Sequence, residues 1–181
     1  MNTYTEYKAL NKLAKQNGVV LMGTATMSAL RFNELLSDYE LDCRIYNRSG
    51  KDLTAASAIE FYRKNVAEAC PATLIVGIGE NEESDDAVTA EQFEASMAAF
   101  VAFVKSVGPQ MRVILSEIPE QSDKARALNS VLRNVSRKYH LDFAALSRTD
   151  TSLTLRYFKS LKPYLFKQRP SFADAFAYAG I

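Results

Sequence analysis

The sequence is short of the residues that build metal centres and disulfide frameworks: it holds one histidine and two cysteines in 181 residues. A lone histidine excludes a multi-histidine metal site, and no carboxylate cluster has the spacing of a ligand set. Cys43, in an expected strand, and Cys70, at an expected helix end, have no partner motif and read as buried, reduced thiols. An excess of charge of either sign is also lacking, with 22 Lys and Arg against 21 Asp and Glu. There is therefore no global field to draw in nucleic acid or an anionic membrane. No apolar stretch approaches the ~18 residues of a spanning helix. The opening MNTYTEYKALNKLAKQNG has no apolar run that could form the core of a signal peptide. The expectations are a cytoplasmic location, no membrane or nucleic-acid partner, and no resident metal or cofactor.

What is present is an ordinary globular balance, 48% apolar and 24% charged, at a length that makes one domain the expectation over 1–181. Short apolar runs alternate with longer amphipathic segments, the rhythm of βαβ units around a parallel sheet. The runs are VVLMG from Val19, CRIYN from Cys43, TLIVGIG from Thr73, RVILSEI from Arg112 and, more weakly, LDFAAL from Leu141. Their continuous hydrophobicity fits strands buried on both faces.

The intervening helices show in the spacing of Ile59, Tyr62 and Val66, of Phe93, Met97, Phe100, Val101 and Val104, and of Leu128, Val131, Leu132 and Val135. Thr89 with Gln92 forms a capping box that opens the second of these, and Gly108-Pro109 closes it. An N-terminal helix is expected to pack through Tyr7, Leu10 and Ala14. From Leu146 to Pro170 apolar, aromatic and basic residues mix without a clean period, so a long loop with a short helical stretch is expected. SFADAFAYAGI then reads as a closing helix.

An open parallel sheet binds ligands beyond the carboxyl ends of its strands, so the turns after the runs are where chemistry belongs. The first turn, VVLMGTATMSALRF, resembles the opening block of the SGNH (GDSL-type) hydrolases, in which a strand ends in Gly-Asp-Ser; that register gives Gly23, Thr24 and Ala25. The second, IYNRSGKDLTAA, is similar to the family's Asn-Arg followed by an oxyanion-hole glycine, here Gly50. The third, LIVGIGENEES, resembles Gly-x-Asn-Asp, whose asparagine is the other main oxyanion donor; Gly79 and Asn81 take those places. The family's last block, Asp-x-x-His-Pro, falls on Phe166 to Pro170, with Phe166 for the aspartate and Arg169 for the histidine. The order and spacing of the four blocks carry the resemblance from about Asn17 onward. It implies a flavodoxin-like three-layer α/β/α sandwich with a five-stranded parallel sheet.

The same register removes the chemistry the family is known for. Acyl transfer by this route needs a hydroxyl nucleophile, a base and a group that orients the base. Ala25 has no nucleophile, Arg169 stays protonated, and Phe166 orients nothing. Gly50, Asn81 and the backbone N–H of Ala25 remain as donors toward an anion. With Thr24 and Arg169 they form the expected ligand site, for a small anionic or acyl molecule.

The leading reading is thus a hydrolase-like protein without its triad that binds a ligand or serves as an interaction module. The alternatives are an active esterase using Thr24, Thr26 or Ser28, and a purely structural or oligomeric partner. His140 precedes the fifth strand, a strand length of ~15 Å or more from the turns, and reads as a surface or helix-cap residue. The acidic run from Glu80 to Asp86 reads as solvated charge before a helix. The basic set Arg148, Arg156, Lys159, Lys162, Lys167 and Arg169 reads as a solvated loop, and Tyr157, Phe158, Tyr164 and Phe166 as its core anchors.

Overall fold

The structure is a computed structural model, and it describes residues 3–39, 43–119 and 122–165. Its elements follow the chain as α1 (Thr3–Asn11), β1 (Val19–Gly23), α2 (Ala25–Ser28), α3 (Phe32–Asp38), β2 (Ile45–Asn47), α4 (Ala58–Asn65), a 3-10 turn (Ala67–Ala69), β3 (Thr73–Gly77), α5 (Glu80–Glu83), α6 (Ala90–Val107), β4 (Arg112–Ser116), α7 (Asp123–Lys138), β5 (Asp142–Ala144) and α8 (Leu153–Leu165).

The five strands pair in the order β2-β1-β3-β4-β5, every neighbour parallel. This is the flavodoxin-like order, in which the chain reverses direction across the sheet between β1 and β3. Each strand feeds both layers because successive side chains point to opposite faces. Val20, Met22, Leu74, Val76, Val113 and Leu115 pack under α4, α6 and α7. Val19, Leu21, Ile45, Ile75 and Ile114 pack under α2, α3 and α8. The five apolar runs are therefore the five strands, and the three layers are those expected.

Helix starts follow local chemistry. At α6 the Thr89 side chain accepts from Gln92 N while the Gln92 side chain accepts from Thr89 N, and Gly108 caps the other end. At α7 the Ser122 side chain accepts from Ala125 N.

Several expectations are corrected. The stretch read as a long loop with a short helical stretch holds a helix, α8, that is longer than expected at thirteen residues. Tyr157, Phe158, Leu161 and Leu165 bury one of its faces, with the half-buried Leu153 and Tyr164 packed against the same cluster, while Leu155 on another side and Pro163 within the helix blur the period. On α1 it is Asn11 that is buried and Leu10 that is 40% exposed. The Asn11 side chain is drawn inward by Arg48, whose Nε donates to its Oδ1, and by Asn65 O, which accepts from its Nδ2. Cys43 precedes β2 and is half-buried, and Cys70 is exposed in the left-handed region. The C-terminal SFADAFAYAGI lies outside the described residues, as do Phe166, Lys167 and Arg169.

Candidate functional site

The carboxyl ends of β1 and β3 meet at a pair of glycines, Gly23 opposite Gly77. Met27 of α2 sits in the notch they leave: a β-carbon on Gly77 would come within 2.6 Å of Met27 Cε. With no side chains in the way, α2 lies directly over the point where the chain reverses. Close approach of backbone and helix is the use of glycine here.

Three of the expected turns converge on this point. The Gly50 N–H donates to Gly23 O at 2.9 Å, and Gly23 N donates to Ser49 Oγ at 3.0 Å. The Asn81 side-chain amide donates to Lys51 O at 2.9 Å and to Leu53 O at 2.8 Å. The Thr26 N–H of α2 donates to Glu80 Oε2 at 3.4 Å. The structure thus brings Thr24, Ala25, Gly50 and Asn81 to one corner.

Their hydrogen-bonding differs from the expectation of donors left open to an anion. Both hydrogens of the Asn81 amide and the Gly50 N–H are engaged with the protein's own carbonyls. The first turn of α2 already faces a carboxylate, and α2 has four residues, too few for a substantial macrodipole. Thr24 is fully buried, and its Oγ1 has no hydrogen-bond partner among the described residues. Ser28 Oγ donates to Ala25 O at 2.7 Å. His140 follows α7 in the left-handed region and is exposed just before the amino end of β5.

The described members of the basic set are held elsewhere. Arg148 and Arg133 pair with the buried Glu117, which also accepts from Leu146 N at 2.7 Å. Arg156 donates to Ser147 O, Lys159 to Asp150, and Lys162 lies over the Tyr39 ring. The turn that leads into the last described helix is 145–152, and it carries Asp150. This carboxylate accepts from Lys159 and Ser147. The Lys159 bond, the largest cause, holds its pKa below the usual value.

Beside the corner opens a cleft of about 380 Å³ between α1, α2, α4 and the loop after β2. Tyr7, Ser28, Ser49, Gly50, Lys51, Leu53, Glu60, Phe61 and Lys64 are among its lining residues. Of the expected ligand-site residues among those described, Gly50 alone borders it. Its inner wall is fastened by Tyr7, whose hydroxyl donates to Ser49 O at 2.6 Å, and by Arg48, buried between the Tyr7 and Tyr46 rings.

Two site residues escape sequence reasoning. Glu80 faces α2, and Glu82 is 3% exposed with its Oε1 accepting from Ala55 N. Burial pushes the Glu82 carboxyl above its ordinary range. Burial likewise pushes up the Tyr157 phenol, and the charge of nearby Glu80 adds to the rise. The available signal was position: Glu82 stands at the aspartate of the Gly-x-Asn-Asp block, where an acidic residue belongs to the site and not to a solvated run.

No family model matches the sequence, and no curated protein is similar to it. Solved structures are similar in fold. A family 3 carbohydrate esterase from Clostridium thermocellum superposes with a TM-score of 0.69 at 10% identity, over 83% of this chain and 98% of that one. A psychrotrophic esterase from Pseudoalteromonas gives 0.65 at 13%, over 82% and 99%. A GDSL-like lipase from Bacteroides thetaiotaomicron gives 0.63 at 17%, over 78% and 77%. Identities this low establish architecture, and by its strand order, its layers and these superpositions the chain has the SGNH (GDSL-type) hydrolase fold.

Proposed function

We propose that this protein is a non-catalytic binding protein built on the SGNH hydrolase scaffold, holding a small anionic or acyl molecule in the cleft beside Gly50. The observation that carries the reading is the commitment of the Asn81 amide to Lys51 O and Leu53 O. A tetrahedral intermediate needs donors aimed at its oxygen before the reaction begins, and donors already bonded to carbonyls offer no such preorganisation. Ala25 supplies no hydroxyl at the strand end, and the one histidine stands at the other end of the sheet. The cleft is in the range of small-molecule pockets, and its lining combines Phe61 and Leu53 with Lys51, Lys64 and several hydroxyls.

The test is turnover of p-nitrophenyl acetate and butyrate, paired with calorimetry of short-chain carboxylates against the parent and a Lys51→Ala variant. The expected result is no hydrolysis above background, and carboxylate binding weakened in the variant. Turnover that is abolished by Thr26→Ala or Ser28→Ala, with the fold intact, would establish an esterase instead.

A further inference from the structure

The short helix α5 grips the wall of the cleft with two adjacent residues. Asn81 holds the carbonyls of Lys51 and Leu53, and Glu82 holds the N–H of Ala55 at 2.5 Å. Lys51 and Leu53 both line the cleft. The next residue, Glu83, accepts from Ser122 Oγ at 2.6 Å, which anchors the other side of α5 to the start of α7. The loop that bounds the cleft is thus tied to the body of the protein through one turn of helix.

Of these ties, the Glu82 carboxyl is the one that can change charge inside the protein. It is 3% exposed, and its Oε2 has no hydrogen-bond partner among the described residues. The N–H groups of Ala55 and of Glu82 itself favour the charged carboxylate, but burial away from water outweighs them.

We propose that Glu82 is a proton-operated latch on the cleft wall, closed when its carboxyl is neutral and released when the carboxyl gives its proton to solvent. The consequence for ligand access rests on the binding role proposed above; the latch itself does not.

The charges around it are mixed. Asp85, just beyond α5, disfavours ionisation, and Lys124 of α7 favours it. Lys124 Nζ also donates to Asp85 O. Glu80 and Glu83 share the helix, with Glu80 turned to Thr26 N and Glu83 to Ser122. Lys51 and Asp52 are exposed on the loop. No guanidinium pairs with Glu82 among the described residues, so burial prevails and the carboxyl is raised. A raised carboxyl stabilises the closed form fully below the ordinary carboxylate range. That stability is lost as pH climbs from there through the raised value.

The test is amide hydrogen exchange of the ligand-free protein across pH 5 to 8, corrected for intrinsic base catalysis. In the parent, protection at Ala55 and its neighbours should fall with rising pH, by up to about tenfold per pH unit for one linked proton. In Glu82→Gln, which keeps an acceptor and cannot ionise, protection should stay flat. An equal fall in the variant, or a flat parent, overturns the proposal.

A carbon-detected titration of the Glu82 carboxyl in the parent covers the case of a variant that does not fold. Its midpoint must lie above the ordinary range, and the Ala55 amide must shift with it; either failing overturns the latch. Because no ligand is present, these outcomes are independent of those of the binding screen.

Discussion

The notch between Gly23 and Gly77 makes a sharp prediction, because the obstacles to a methyl group differ at the two positions. At Gly77 the three atoms nearest to a β-carbon all belong to the Met27 side chain, Cε at 2.6 Å, Cγ at 2.9 Å and Sδ at 3.6 Å. At Gly23 it would also meet Gly77 O at 2.6 Å and Met27 Cβ at 2.6 Å. Truncating Met27 to alanine removes Cγ, Sδ and Cε and leaves Cβ. Met27 is 1% exposed, so Met27→Ala alone should cost about 2–5 kcal/mol. Gly77→Ala alone should cost about 1–3 kcal/mol by overpacking.

In the Met27→Ala background the Gly77→Ala clash disappears, and the added methyl fills part of the hole. Gly77 also lacks a positive φ, so alanine gains ~0.4–1 kcal/mol from the unfolded state. The cycle should show a favourable coupling of about 1–3 kcal/mol, while Gly23→Ala stays destabilising in both backgrounds. Urea unfolding with matched slopes reads all of these free energies. A Gly77→Ala cost equal in both backgrounds, or a Gly23→Ala rescued as fully as Gly77→Ala, would refute the placement of α2 over the sheet.

Two further substitutions test the frame that holds the site. Thr89→Ala removes one half of the capping box at α6 and should cost about 1 kcal/mol, a fall of roughly 2–4 °C in thermal midpoint for a chain of this size. Glu117→Gln discharges the fully buried acceptor of Arg133, Arg148 and Leu146 N; chemical denaturation should show a loss of about 1.5–3 kcal/mol or more, with faster exchange in 145–152.

The strands were legible because burial on both faces leaves an unbroken apolar run, as in Thr73–Gly77, that needs no knowledge of its neighbours. Capping at Thr89 was legible for the same reason, both partners lying within four residues. Helix α8 was not, since Leu155 off its buried stripe and Pro163 within the helix break the period, and which apolar residue faces inward is decided by the sheet. Leu10 and Asn11 changed places because the inward position is set by Arg48, 37 residues away. The convergence of the turns at Gly23, Gly50 and Asn81 followed from strand order. The engagement of their donors did not, because it depends on how closely the loop after β2 approaches α5.

The proposed binding role rests on that approach. Gly50 and Asn81 are expected from the sequence to aim donors at an oxyanion, yet each finishes on a backbone carbonyl, and the three carbonyls belong to Gly23, Lys51 and Leu53. Opening the site to a reacting oxygen would strand those carbonyls, each worth about 0.5–1.5 kcal/mol as a bond and more if left buried without a partner. The same bonds hold the loop of the cleft in one conformation before any ligand arrives, and a preordered wall lowers the entropy lost on binding. Rigidity of this kind favours recognition and opposes the oxyanion chemistry, so substituting Asn81 should loosen the cleft without creating an esterase.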